Sequence, residues 1–106
     1  TYQDKYLLIQ NTPGGLLENL YGFVQYDVES PYSFVSSFQE KYHQELIIQA
    51  HIKDIKHVFS HRIWFMHVYH FVLEHEIEGM YTLEEIEALP LSTAHLKVLK
   101  AYLKFM

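Results

Sequence analysis

Apolar residues fall along this chain in blocks whose spacing changes from one block to the next. Tyr6-Leu7-Leu8-Ile9 has little polar alternation and predicts a strand buried on both faces. Asn11-Thr12-Pro13-Gly14-Gly15 interrupts it with turn formers. Between Leu16 and Tyr26, the residues Leu20, Tyr21, Phe23, Val24 and Tyr26 mark a second strand region, with Gly22 inside it. Ser30-Pro31 then reads as an N-cap followed by proline at the first helical position. Behind it Phe34, Val35, Phe38 and Tyr42 recur at helical spacing, with Glu40, Lys41 and Gln44 on the other side, predicting an amphipathic helix over about 31–44. Residues 46–59 and 63–73 are rich in Ile, Val, Phe and Tyr and read as two long strands joined at Ser60–Arg62. The second of these is apolar on both faces, as a central strand would be. Thr82-Leu83-Glu84-Glu85 is a capping box opening a short acidic helix that stops at Leu89-Pro90. Ser92 caps a last helix with Leu96, Leu99 and Leu103 on one face. Lys97, Lys100 and Lys104 lie elsewhere on it, where late cations suit the negative end of the helix dipole. The order β-β-α-β-β-α-α predicts a mixed α/β (α+β) domain, a sheet covered by helices, with the Phe34/Phe38/Tyr42 and Leu96/Leu99/Leu103 stripes in its core.

Composition narrows the class. The 106 residues suit one domain, 1–106, burying roughly 65% of the surface of the unfolded chain. Hydrophobic residues make up 49% and aromatics 16%, which is globular and not disordered composition. The absence of cysteine excludes disulfides, thiol catalysis and cysteine-ligated zinc or iron–sulfur sites within these residues. No apolar run approaches the ~18 residues of a membrane span, and no signal peptide opens the chain. Thr1 in the first position suggests part of a longer protein. The formal charge of −5 argues against nucleic-acid binding by bulk electrostatics. Its distribution matters more, since Glu74, Glu76, Glu78, Glu84, Glu85 and Glu87 crowd one late segment. Residues 51–71 carry Lys53, Lys56 and Arg62 against Asp54 alone, together with five histidines. A locally basic edge on an acidic body is therefore allowed.

That edge contains the stretch that fits the strand pattern least, Lys56-His57-Val58-Phe59-Ser60-His61-Arg62. A buried strand has no use for so much polarity, so the chain either surfaces there or meets a ligand. A serine hydroxyl both donates and accepts and rotates to suit its partner. Its plain alternative is a turn hydroxyl bonded to its own backbone. Phe59 suits either a wedge against bases or a core anchor. His57 and His61 can donate to phosphate or brace the loop, and Arg62, Lys56 and Lys53 can reach phosphates or simply be solvated. A metal is not expected here. His57 and His61 supply two ligands without a third, and His67 and His70, three apart on a strand, point to opposite faces.

Three segments together resemble one family. Gly15-Leu16-Leu17-Glu18-Asn19-Leu20-Tyr21-Gly22-Phe23 is similar to the GLL-x-x-L-W-E-F stretch of the C-terminal, Nudix-like domain of MutY-type adenine DNA glycosylases. His57-Val58-Phe59-Ser60-His61 resembles that domain's H-x-F-S/T-H loop. Leu89-Pro90-Leu91-Ser92-Thr93-Ala94-His95-Leu96-Lys97-Val98-Leu99 resembles its closing LP…H-x-K-L/I-L helix. Order and spacing agree over nearly the whole chain. Tyr21 and Gly22 depart from the usual Trp and Glu, and Val24 from a common Pro. The resemblance implies a Nudix-like mixed β-sheet flanked by helices. It further implies a domain without catalytic residues that checks 8-oxoguanine opposite the adenine to be removed. Its partners would be double-stranded DNA carrying 8-oxoguanine·adenine and an N-terminal catalytic domain of the same polypeptide. That other domain would hold the glycosylase chemistry and an iron–sulfur cluster, none being held here, and would work at the nucleoid in a bacterial cytoplasm. The 8-oxoguanine and DNA contacts would be Phe59, Ser60, His61, His57, Arg62 and Lys56, with Ser60 on the oxidised base.

The base chemistry agrees with that assignment. Guanine presents an acceptor at N7. Oxidation at C8 makes N7 a donor and adds a carbonyl oxygen, so a reader needs an acceptor at N7, which Ser60 can supply. A good bidentate base contact is worth roughly 1–3 kcal/mol of discrimination. Two other classes remain open: a Nudix pyrophosphatase acting on free nucleotides, and a non-enzymatic module binding a protein or small ligand. The pyrophosphatase requires R-E-x-x-E-E on a helix to hold Mg²⁺. The nearest stretch, Gln39-Glu40-Lys41-Tyr42-His43-Gln44, keeps Glu40 alone, so this activity is not expected.

Overall fold

The computed structural model describes residues 1–14, 17–59 and 61–106. Its elements run β1 (Lys5–Gln10), β2 (Tyr21–Phe23), α1 (Pro31–Tyr42), β3 (Leu46–Val58), β4 (Ile63–Leu73), β5 (Met80–Thr82), α2 (Leu83–Glu87) and α3 (Thr93–Phe105). The architecture is a mixed α+β fold, with antiparallel sheets flanked by helices. One sheet has the order β2-β1-β5, and the other is the long β3–β4 ribbon.

The helices begin where capping chemistry places them. The Ser30 hydroxyl accepts the Ser33 amide hydrogen, Thr82 and Glu85 complete a reciprocal capping box, and the Ser92 hydroxyl accepts from His95. Helix α1 stops at Tyr42, two residues short of the expected end. His43 turns left-handed there (φ 58°) and its N–H donates to the Gln39 carbonyl at 2.8 Å.

Three further expectations are corrected. The second strand region shrinks to Tyr21–Phe23, because Leu17 and Asn19 adopt positive φ before it and the chain leaves the sheet after it. The Tyr21 N–H donates to Pro90 O (2.9 Å) and its carbonyl accepts from Ser92 N (3.1 Å), so this short strand also anchors the start of α3. β4 is not a central strand: among the described residues it pairs with β3 alone, and its outward residues Ile63 and Phe65 are 50% and 72% exposed. Leu96 lies at the rim of the buried face of α3 and is exposed, while Ala94, His95 and Leu99 are buried. The pattern also gave no warning of β5. Gly79 introduces it with φ 89°, its carbonyl accepting from Leu8 N at 3.0 Å.

Leu8, Ile86 and Leu99 form the core between the three-stranded sheet and the last two helices, surrounded by Tyr6, Tyr21, Phe23, Tyr81, Leu83, Leu89, Leu91 and Leu103. Helix α1 contributes Phe38, fully buried, and Phe34, which stacks on Phe71 of β4 at 4.9 Å. The N-terminal residue ties the two sheets together, since the Thr1 carbonyl accepts from Leu73 N (2.8 Å) beside β1.

Candidate functional site

The polar stretch that breaks the apolar pattern lies at the far end of the β3–β4 ribbon. Register pairing of Val58 with Ile63 and of His57 with Trp64 carries the two strands to the loop, and the Phe59 N–H donates to Arg62 O at 2.7 Å to close it. The loop is thus short and held by a well-paired ladder. Ser60, the residue singled out for the base contact, lies outside the described residues.

Its neighbours divide into an inner and an outer set. His57 faces inward and is only 7% exposed, and its Nδ1 has no hydrogen-bond partner among the described residues. Burial, with the Lys97 ammonium adding to it, pushes its pKa below the usual histidine value, so the ring is held neutral. Of the two roles open to His57, bracing the loop suits this position. Phe59 is half-buried, its ring edge-on to His57 at 4.5 Å and to Trp64 at 4.7 Å, which anchors the loop from within. His61, Arg62, Lys56 and Lys53 are all exposed. The ribbon end therefore has an aromatic inner bracket and a cationic, solvent-facing side.

Behind the bracket sits a residue whose structural importance the sequence reading missed. The His95 Nδ1 accepts the Phe23 amide hydrogen at 2.8 Å, and Nε2 donates to Gln25 Oε1 at 3.0 Å. Burial lowers its pKa from 6.5 to about 4, with His57 nearby acting in the same direction. Its ring stacks near Phe23 (6.0 Å) and stands edge-on to Trp64 (6.4 Å), so α3, β2 and the ribbon meet at one imidazole. The space at Gly22 makes this possible: a Cβ there would lie 3.0 Å from His95 Nδ1. The available signal was its place in the Ser92-x-x-His95 start of α3, on the same face as Leu99. Beside it opens a cavity of about 810 Å³ whose walls include Phe23, Gln25, Tyr26, Phe34, Trp64 and His95. Such a volume is within the range of small-ligand pockets.

His67 and His70 lie on opposite faces of β4, as their spacing on a strand predicts. His70 Nε2 bonds to Thr1 Oγ1 at 2.8 Å on the inner side, whereas His67 lies outside, with Nδ1 2.8 Å from Asp54 Oδ1. His51 Nε2 meets the same oxygen at 2.8 Å. Hydrogen bonds from His67 and His51 hold the Asp54 carboxyl below its ordinary range.

Antiparallel sheets flanked by capped helices, with a long ribbon closing on a short loop, agree with a Nudix-like domain. The chain belongs to that family: a family model, NUDIX_4, described as NUDIX domain, matches residues 1–101. No curated protein matches the chain. Helix α1, where a hydrolase of this family would need clustered carboxylates, carries Glu40 as its single acid. No helix among the described residues is long and apolar enough to cross a membrane.

Proposed function

We propose that this Nudix-like domain is the recognition domain of a MutY-type adenine DNA glycosylase, reading 8-oxoguanine opposite the adenine. The observation that supports it most is the loop 59–62, closed at the end of the long ribbon by the Phe59–Arg62 bond and braced beneath by His57 and Trp64. A base reader gains from flanks that are already held in place, as Phe59 and Arg62 are here, since contact energy is lost to any ordering on binding. Ser60 would accept the N7–H of the oxidised base. His61, Arg62, Lys56 and Lys53 would meet the phosphates, which position without specifying. Phe59 and His57 would act from below. In this reading the domain is not itself an enzyme. The glycosylase chemistry and its iron–sulfur cluster would belong to another part of the polypeptide.

The test is Ser60→Ala in the full-length polypeptide, with adenine release measured from 8-oxoguanine·A and G·A duplexes. Preference for the oxidised base should fall by roughly 1–3 kcal/mol, about five- to 150-fold, with release from G·A unchanged. Equal loss on both substrates, or no loss, counts against the reading.

The cavity beside His95 favours a second reading, a non-enzymatic module that binds a small ligand. Trp64 fluorescence separates the two. Quenching by free nucleosides or nucleotides, with no response to duplex DNA, would favour the second.

A further inference from the structure

On an unbroken strand His51 and Asp54, three residues apart, would point to opposite faces. β3 is not unbroken. Its register against β4 slips between Ile48 and Ala50 and again between His51 and Lys53, so that His51 pairs with Tyr69 and Asp54 with His67. Tyr69 and His67 are two apart on β4 and share a face. The extra residue Ile52 therefore brings His51 round to the side of Asp54 and His67, the re-aiming that a β-bulge produces. On that face His51 Nε2 and His67 Nδ1 both lie 2.8 Å from Asp54 Oδ1, and the three donor atoms are mutually within 4.8 Å. The His51 ring is also stacked on Tyr69 at 4.5 Å, which fixes its orientation.

We propose that His51, Asp54 and His67 form a binding site for one divalent transition-metal ion of the zinc class, on the outer face of the ribbon. Two imidazole nitrogens and a carboxylate oxygen are a donor set for such an ion, and ligand distances of about 2.0–2.2 Å require donor atoms near 3 Å apart. Asp54 Oδ1 already stands near that spacing from each imidazole nitrogen, and the two nitrogens lie within 4.8 Å of one another, so the ion would replace the protons that the histidines now share with Asp54. Imidazole donors favour zinc and its neighbours over magnesium and calcium, which take oxygen ligands. Three protein ligands leave at least one position for water, in keeping with the exposure of all three side chains. The site does not depend on the DNA-reading proposal, because it lies along the ribbon and not in the loop.

Calorimetric titration of the metal-free chain with Zn²⁺, with and without excess Mg²⁺, tests it. One zinc ion should bind per chain, and magnesium should not compete. His67→Gln and Asp54→Asn, both at exposed positions, should each weaken binding at least about tenfold, the loss that follows even from removing an outer-sphere partner. His75→Gln, an exposed histidine elsewhere, should leave binding unchanged. X-ray absorption at the zinc edge should show only nitrogen and oxygen ligands, including two imidazoles. Absence of stoichiometric binding, unchanged affinity in His67→Gln and Asp54→Asn, or competition by magnesium would overturn the assignment.

Discussion

His95 shows how one side chain couples burial, hydrogen bonding and pH. Its Nδ1 must remain an acceptor for the Phe23 amide, and protonation would replace that acceptor with a donor facing a donor. The unfolded chain takes up this proton near pH 6.5, whereas the folded chain resists it down to about 4. Between those values unfolding consumes a proton, so stability is full above pH 6.5 and declines as the pH falls through the window. At roughly 1.36 kcal/mol per pH unit, the loss attributable to His95 is on the order of 3 kcal/mol. Burial lowers the His57 pKa in the same direction. Urea unfolding from pH 7.5 to 4.5 in metal-free buffer should show this decline, to which the half-buried His70 also contributes, and His95→Gln should make it shallower. A wild-type profile already flat across the window would refute the assignment.

At the scale of elements, β2 depends on the absence of a side chain. Gly22 lies against the His95 imidazole, and an added Cβ would meet ring atoms at 3.0 to 3.2 Å. Gly22→Ala therefore pushes α3 away from β2 and is expected to lower unfolding free energy by roughly 1–3 kcal/mol, the usual cost of overpacking. Denaturant unfolding measures it directly, and an unchanged midpoint would show that α3 can shift without cost. The departure at residue 22 from the usual glutamate of the resembling family thus has a packing counterpart. Most elements were legible because their signals are local: Ser30-Pro31, the Thr82–Glu85 capping box and Ser92 each mark a helix start by chemistry within one turn. Other features were not. β5 is three residues long, too short for alternation to register. The two slips in β3 leave no mark in hydrophobic period, yet they decide which face His51 occupies, and so the cluster with Asp54 and His67 stayed hidden. The apolar run in β4 reads as a central strand because exposed Ile63 and Phe65 cannot be told from buried residues by type alone. For the loop, the sequence indicated its place and polarity but not the burial that separates His57 from His61 and Arg62.

For the molecule as a whole, charge sets the terms on which the ribbon end would meet DNA in the proposed reading. The chain carries a net −5, while the cations Lys53, Lys56 and Arg62 gather toward one end of the ribbon. The domain alone should therefore bind duplex DNA weakly and lose that binding steeply as salt rises, because phosphate contacts dominate non-specific affinity. Tight binding at moderate salt would contradict this distribution of charge. Mg²⁺-dependent hydrolysis of nucleoside triphosphates is also not expected, since α1 offers Glu40 alone. In the proposed reading the loop between β3 and β4 reads the oxidised base, and amide chemical-shift mapping at low salt resolves that contact residue by residue. Titration with a duplex bearing 8-oxoguanine opposite adenine should shift the amides of Phe59, Ser60, His61 and Arg62 first. The matching guanine duplex should move those same signals less. Equal shifts with both duplexes, or shifts gathered around the His95 cavity with the loop unmoved, would rule out base reading by this loop.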